Sequence, residues 1–243
     1  MLKTIHFLHI GKTGGSAIKE ALKRGIKEQD IYTKTNRLKD NTILDIKDLS
    51  GEFDQIVLHG HGTSLNKIPE TDWFFFCIRN PISRFVSGFY SRQRQGKPRY
   101  DIPWNAKEER AFRNFESPNA LAEALSSSSP NIRAKAKRAM RNIRHVKTSL
   151  SKWIIDPTYL TKRKSNLLYI LEQKTLSEDF EKLLQALQCK RQLNLSNDQK
   201  LTHQSNTPNS STTLSDLALQ NLNNHYSKDI EIYKFLTDLK MKY

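Results

Sequence analysis

The stretch that most constrains this chain is Thr4-Ile5-His6-Phe7-Leu8-His9-Ile10-Gly11-Lys12-Thr13-Gly14-Gly15-Ser16-Ala17-Ile18. Thr4 to Ile10 is rich in β-branched and aromatic residues and predicts a buried strand. Gly11 to Gly15 predicts a tight loop, and from Ser16, with Ile18, Ala21 and Leu22 on one face, a helix is expected. A strand, a glycine loop bearing one lysine and a helix start make an anion site. Glycines let backbone N–H groups approach a phosphate, the helix N-terminus adds partial positive charge, and Lys12 adds a full one. This is not the ATP loop G-x-x-x-x-G-K-[ST], because His6 stands five positions before Gly11 and the glycine pair follows the lysine. The shorter loop suits a 5′-phosphate group rather than a triphosphate wrapped around Mg²⁺. The plainer alternative is a simple turn at Gly14-Gly15 beside a solvated Lys12.

Further strands are expected at Asp54–Leu58, ending in His59-Gly60-His61-Gly62, at Asp72–Ile78 and at Asn166–Leu171. The continuous apolar run before Arg79 suits a strand buried on both faces of a parallel sheet. Pro81 suits a first helical residue, and Arg84, Ser87, Gly88 and Ser91 then share one face. Residues 26–50 are expected to hold a connecting strand or two. Trp104 to Asp156 reads as helical, with a segment at Ala120–Leu125, a break at Ser126–Pro130 and one long basic helix over Ile132–Ile155. A helix is expected over Thr175–Leu187, capped by Thr175 or Ser177, with Leu183, Leu184 and Leu187 inward. Ser196–Thr213 is a polar loop, and Leu214–Leu239 an amphipathic helix.

This alternation implies an α/β fold, a P-loop-containing three-layer sandwich with a central parallel sheet, helices on both faces and a helical insertion. Ligands of such sheets bind at the carboxyl ends of strands. That edge would gather Lys12, His59, His61, Arg79 and, in the following helix, Ser87. A forked contact from Arg79 and a hydroxyl from Ser87 would grip a second phosphate. Alternatively Arg79 pairs with Asp72 or a helix C-terminus, and Ser87 only packs.

At 243 residues the chain suits one domain, 1–243, with the insertion at about 93–165. Cys77 and Cys189 define no disulfide framework or metal cluster. No apolar run has the length of a membrane span and no leader precedes the first strand, so a cytoplasmic protein is expected. The formal charge of +15 draws anionic partners without choosing among nucleic acid, glycans, lipids and nucleotides. None of the common nucleic-acid-binding motifs is evident, and no nucleic-acid partner is expected.

Ile10-Gly11-Lys12-Thr13-Gly14-Gly15-Ser16 resembles the 5′-phosphosulfate loop of sulfotransferases, P-K-T-G-G-[TS], with Gly11 where proline is common. Arg79-Asn80-Pro81-Ile82-Ser83-Arg84-Phe85-Val86-Ser87-Gly88-Phe89-Tyr90 resembles their 3′-phosphate motif, R-[DN]-P-x-x-R-x-x-S-x-[FY]-Y. The likeness is greatest to carbohydrate sulfotransferases of the heparan sulfate 2-O type. It extends to Leu168–Leu176 around Glu172 and to Tyr226-x-x-Asp229-x-x-x-Tyr233, and it is absent over 93–165.

The resemblance implies sulfuryl transfer from 3′-phosphoadenosine 5′-phosphosulfate (PAPS) to an acceptor hydroxyl or amine. Gly11, Lys12, Thr13, Gly14, Gly15 and Ser16 would hold the 5′-phosphosulfate, and Arg79 and Ser87 the 3′-phosphate. Lys12 would stabilise the leaving phosphate. The attacking hydroxyl must lose a proton, which favours histidine. His61 is the expected base, with His59 the alternate. No metal is required, and the histidine pair lacks a third ligand at local spacing. The acceptor would be a glycan or a small hydroxylated metabolite. The basic 132–147 helix and Arg92, Arg94, Lys97 and Arg99 would suit an anionic glycan, and Trp104 and Trp153 could stack on sugar rings, although core packing is their commoner role. The loop at 201–213, with His203, Ser205 and Asn206, would close over the nucleotide. The alternatives are a P-loop nucleotide kinase, a non-catalytic basic protein that binds polyanions, and an inactive relative. The oligomeric state is not legible.

Overall fold

The computed structural model describes residues 2–36, 39–98, 100–196 and 213–241. In chain order the elements are β1 (Thr4–Leu8), α1 (Gly15–Arg24), β2 (Ile31–Asn36), β3 (Lys39–Asp45), β4 (Gln55–Leu58), β5 (Trp73–Ile78), α2 (Pro81–Gln93), α3 (Ala106–Asn114), α4 (Pro118–Glu123) and α5 (Pro130–Asn142). They continue with α6 (Ser151–Ile154), α7 (Pro157–Lys162), β6 (Leu167–Glu172), α8 (Leu176–Ala186), α9 (Asp216–His225) and α10 (Ser227–Lys240). The chain forms two compact units. The first takes Met1–Arg79, Leu150–His203 and Lys234–Tyr243, the second Asn80–Ser149 and Gln204–Tyr233.

The first unit carries a six-stranded sheet of order β2-β3-β4-β1-β5-β6. β1 lies between β4 and β5 and pairs parallel with both, and β6 pairs parallel with β5. The expected central parallel sheet is present as β4, β1, β5 and β6, and at one side the sheet is extended by antiparallel pairing of β2, β3 and β4. Connection length explains it. Two residues separate β2 from β3, and a parallel pair needs a crossover of a dozen or more. One face of the sheet, with Ile5, Phe7, Leu58, Phe75, Cys77 and Leu171, is covered by Ile18, Ala21 and Leu22 of α1 and by Phe180, Leu183 and Leu184 of α8. On the opposite face Phe74 and Phe76 stack, and the Arg163 guanidinium lies 5.4 Å over the Phe74 ring. Thr175 precedes α8 as expected, but its hydroxyl donates to Asp179 at 2.8 Å and caps no amide.

The second unit is helical and packs around Phe85, Phe89, Phe112, Leu121, Met140, Ile143 and Tyr226. The single helix expected over Ile132–Ile155 is two, α5 and the short α6. After Asn142 the backbone turns extended at Ile143, and the Arg144 amide donates to the Glu108 carboxylate at 3.1 Å. An acceptor from a distant helix thus replaces the carbonyl one turn back. The terminal helix is likewise interrupted, at Tyr226, whose buried ring donates its hydroxyl to the Val146 carbonyl at 2.9 Å.

Arg92, proposed from sequence for glycan contact, is 1% exposed and reaches no ligand surface. Its Nε and Nη2 make a two-pronged pair with Glu108 at 2.9 and 2.8 Å, and Nη1 and Nη2 donate to the Ile102 and Pro103 carbonyls. Trp104 packs on Phe112 and donates to the Arg92 carbonyl at 2.6 Å. A buried pair this well hydrogen-bonded is costly to break from one side. Glu108→Ala is expected to lower unfolding free energy by about 3–5 kcal/mol, measured by urea denaturation, and a loss under 1 kcal/mol would mean that solvent already screens the pair.

Candidate active site

The registers Phe7↔Leu58, Leu8↔Phe76 and Ile78↔Glu172 bring the carboxyl ends of β4, β1, β5 and β6 to one sheet edge. At that edge β1 gives way to the glycine loop. The Thr13 hydroxyl donates to the Ile10 carbonyl at 2.9 Å, and the Cys77 thiol of β5 donates to the Thr13 carbonyl at 2.9 Å. Burial pushes that thiol far up from its ordinary range. Lys12 sits at φ 70, a left-handed conformation that a side chain rarely adopts and that concentrates at functional sites. Its carbonyl faces Arg79 Nη1 at 3.5 Å.

Gly14 follows at φ 94, and α1 opens at Gly15, one residue earlier than expected. A β-carbon on Gly15 would stand 2.4 Å from Cδ2 of His9, so only glycine lets the helix start this close. No side chain caps the first turn of α1 and no acidic residue lies in it, whereas Lys23 and Arg24 occupy its last turn. The N-terminal amides therefore keep their positive potential.

His61 stands over this loop. Its Nδ1 faces the His9 carbonyl at 3.4 Å, and the two rings lie 3.9 Å apart at 44°. The same nitrogen is 3.7 Å from where a β-carbon on Gly11 would be, and the Trp153 ring is 3.6 Å from that point. Trp153 is 2% exposed and donates its indole N–H to the His61 carbonyl at 2.9 Å. It braces the histidine and does not stack on a sugar. Crowding of the inner edge of His61, followed by the charges of Lys19, Lys152 and Lys12, lowers its pKa, while the His9 carbonyl works in the other direction. The residue is nonetheless exposed overall, so its outer edge meets solvent.

His59 has a different setting. It is 6% exposed, with Nε2 at 2.7 Å from His6 Nδ1 and Nδ1 at 3.2 Å from the Asn41 side chain. Burial, His6 and Lys19 push it down to about 3. Lys19 donates to its carbonyl at 2.5 Å. Arg79 is half-buried just past β5. Ser87 is half-buried on α2, in the second unit. Arg84, from the same motif, is 2% exposed and structural there. It donates to the Thr148 carbonyl at 2.7 Å and lies 3.9 Å from Asp229, which also accepts from Ser149. Glu172, at the end of β6, is 4% exposed and pairs with Lys174 at 3.2 Å.

His9, His6 and Lys19 were not singled out as site residues from the sequence, and Trp153 was considered only for stacking on a sugar ring. A signal existed for the first two, since histidines inside a buried apolar run need polar partners. Among the described residues no group of three or more His, Cys, Asp or Glu is arranged to hold a metal ion, and no helix is long and apolar enough to cross a membrane. The expected closing loop, with His203, Ser205 and Asn206, lies outside the described residues, as does Arg99.

Gly15→Ala is expected to drive a methyl group into His9 and cost roughly 1–3 kcal/mol of stability in urea denaturation. An unchanged midpoint would show that the His9 ring yields freely.

Two comparisons bear on identity. No curated protein matches the chain. The family model described as the sulfotransferase family matches residues 3–236. The strand, glycine loop and helix at the edge of this sheet therefore sit within a match that spans nearly the whole sequence, and the chain belongs to the sulfotransferase family.

Proposed function

We propose that this PAPS-dependent sulfotransferase acts as one domain over 1–243 and transfers the sulfuryl group to a hydroxyl, or an amine, of a carbohydrate acceptor, with His61 as general base. The observation that carries this reading is the seat of His61, against Gly11 and beside Lys12, with an exposed outer edge. His59 is disfavoured as the base because both its ring nitrogens are engaged in the interior. Support for a carbohydrate acceptor is the likeness of the two anion motifs to the heparan sulfate 2-O type and the charge of +15. Exposed Lys137, Arg138, Arg141, Arg144 and Lys147 offer it an anionic-glycan surface within the 93–165 region. A cytoplasmic location belongs to the same reading and is supported by two free thiols, Cys77 and Cys189.

The loop fits the donor. The uncapped first turn of α1 and Lys12 suit the 5′-phosphosulfate from Gly11 to Ser16, and Arg79 and Ser87 would take the 3′-phosphate. PAPS, when bound, supplies the sulfuryl group and a phosphate leaving group. Lys12 and the α1 amides stabilise charge that grows on that phosphate, and so act more strongly on the transition state than on the ground state. The His9 carbonyl fixes a proton on Nδ1 of His61 and leaves the Nε2 lone pair to take the acceptor proton. Crowding of its inner edge, and after it three lysines, keep that nitrogen unprotonated but also weaken it as a base. Negative charge on the donor offsets the lysines and restores basicity when the site is loaded. The nucleotide-kinase alternative rests only on the strand–loop–helix that it shares.

In calorimetric titration without added metal, adenosine 3′,5′-bisphosphate is expected to bind wild type, and Lys12→Ala or Arg79→Ala to weaken it about tenfold or more, the worth of a hydrogen bond to a charged group. His61→Ala should bind it normally and fail to move radiolabelled sulfate from PAPS to O-desulfated heparin. ATP–Mg²⁺ binding in its place would favour the kinase. Label on small phenols but on no polysaccharide would remove the carbohydrate acceptor.

The NMR titration midpoint of His61 is expected below the ordinary 6.5 in the free protein, and to rise when the bisphosphate is added. A midpoint that does not move with the nucleotide would separate His61 from the anion site.

A further inference from the structure

The first unit holds a chain of polar side chains, buried at His6 and His59 and half-buried at Asp72 and Asn41, that the transfer reaction does not use directly. Asp72 Oδ2 lies 3.0 Å from His6 Nε2, and His6 Nδ1 lies 2.7 Å from His59 Nε2. The two imidazoles are nearly parallel, at 10°, with centroids 5.0 Å apart, and each residue is 6% exposed. An ionised carboxylate can only accept. His6 must therefore donate from Nε2, and its Nδ1 is left as a lone pair. One proton fits between the two rings, so His59 donates it from Nε2. Its Nδ1 then accepts from the Asn41 side-chain amide, whose Oδ1 position is 3.2 Å away, so this order of roles turns the –NH₂ of Asn41 toward the ring. Burial, and after it Arg163, works against a positive charge on His6, and Asp72 only partly opposes them.

This chain ends at the residue that begins the His59-Gly60-His61 turn. The His59 amide donates to the Phe7 carbonyl at 3.2 Å, and its carbonyl accepts from Lys19. Gly60 follows, with nothing within 4 Å of where its β-carbon would be, so the link itself is loosely packed. His61 is then held by its own contacts with His9 and Trp153. Burying two imidazoles side by side is a costly way to fill space that apolar side chains would fill as well. What it adds is a fixed ring orientation at His59, one glycine away from the base.

We propose that Asp72 is a positioning residue: by setting the tautomers of His6 and then His59, it holds the turn that presents His61 to the acceptor. The proposal rests on His61 being the base.

The test uses the full chain and two readouts. Long-range ¹⁵N–¹H NMR of the wild type should show His6 and His59 each as the single Nε2–H tautomer, and an Nδ1–H or imidazolium form of either overturns the relay without any variant. In Asp72→Ala both should lose that single signature. With O-desulfated heparin as the acceptor of the sulfuryl group, the release of adenosine 3′,5′-bisphosphate from PAPS at saturating donor should slow about tenfold to a hundredfold, the effect of a slightly misplaced group, while affinity for the bisphosphate stays within about twofold. Asp72→Glu, which keeps the carboxylate, should recover both the signature and most of the rate. An Asp72→Ala protein that turns over donor at the wild-type rate overturns the positioning role, as does one in which the two histidines are unmoved. His61→Ala, run alongside, separates the failures. Wild-type turnover in His61→Ala removes the base assignment and the positioning role with it, whereas an inactive His61→Ala beside an unimpaired Asp72→Ala removes only the relay.

Discussion

The start of α1 can lie against His9 because Gly15 has no side chain. The rest of the site depends on that approach. It sets the first turn of the helix at the end of β1, forces the chain through a left-handed Lys12 and Gly14, and leaves His9 where its carbonyl and ring meet His61. Because β4 and β5 flank β1 in parallel, the ends that carry His59 and Arg79 fall on the same edge. The sheet order thus decides which residue types become neighbours, and the glycine decides how close they come.

The charge balance follows a related logic. The chain carries an excess of positive charge, yet several of its buried or part-buried charges are matched locally: Arg92 with Glu108, Arg84 with Asp229, Lys240 with Asp179. Around His61 the lysines act without a carboxylate among the causes of its shift. A site of this kind would favour an incoming anion over the empty state, and on the proposed assignment of His61 as base its proton affinity would change with occupancy. Under that proposal, the electrostatics that bind the donor and those that tune the base would be the same few charges.

Much of this was legible in the sequence where the information is local. β1, β4, β5 and β6 announce themselves as apolar runs, and the loop after β1 as glycines around one lysine. The antiparallel strands β2 and β3 were harder because their sequence is polar and their pairing follows from short connections rather than pattern. The long basic helix was misread because Glu108, 36 residues before Arg144, takes the amide that would have continued it. Arg92 was misread because a surface-type residue was matched inside a helical core. In the site, Lys12 and His61 stand in recognisable motifs. The parts played by Trp153 and Asp72 arise from contacts 92 and 66 residues apart, which no local pattern encodes.

The first unit is assembled from three separate stretches of chain, and its last contribution is Lys240, 2.6 Å from Asp179 and 3.9 Å from Glu172. Asp179 also accepts from the Glu172 amide, from Thr175 and from Tyr169, so its carboxylate is the knot that ties the end of β6 to α8. During synthesis that buried carboxylate must wait for a cation made some sixty positions later. The tie between the end of β6 and α8 is therefore completed only when α10 is in place, and a sheet whose strands are all paired still draws its electrostatic balance from a helix far along the chain.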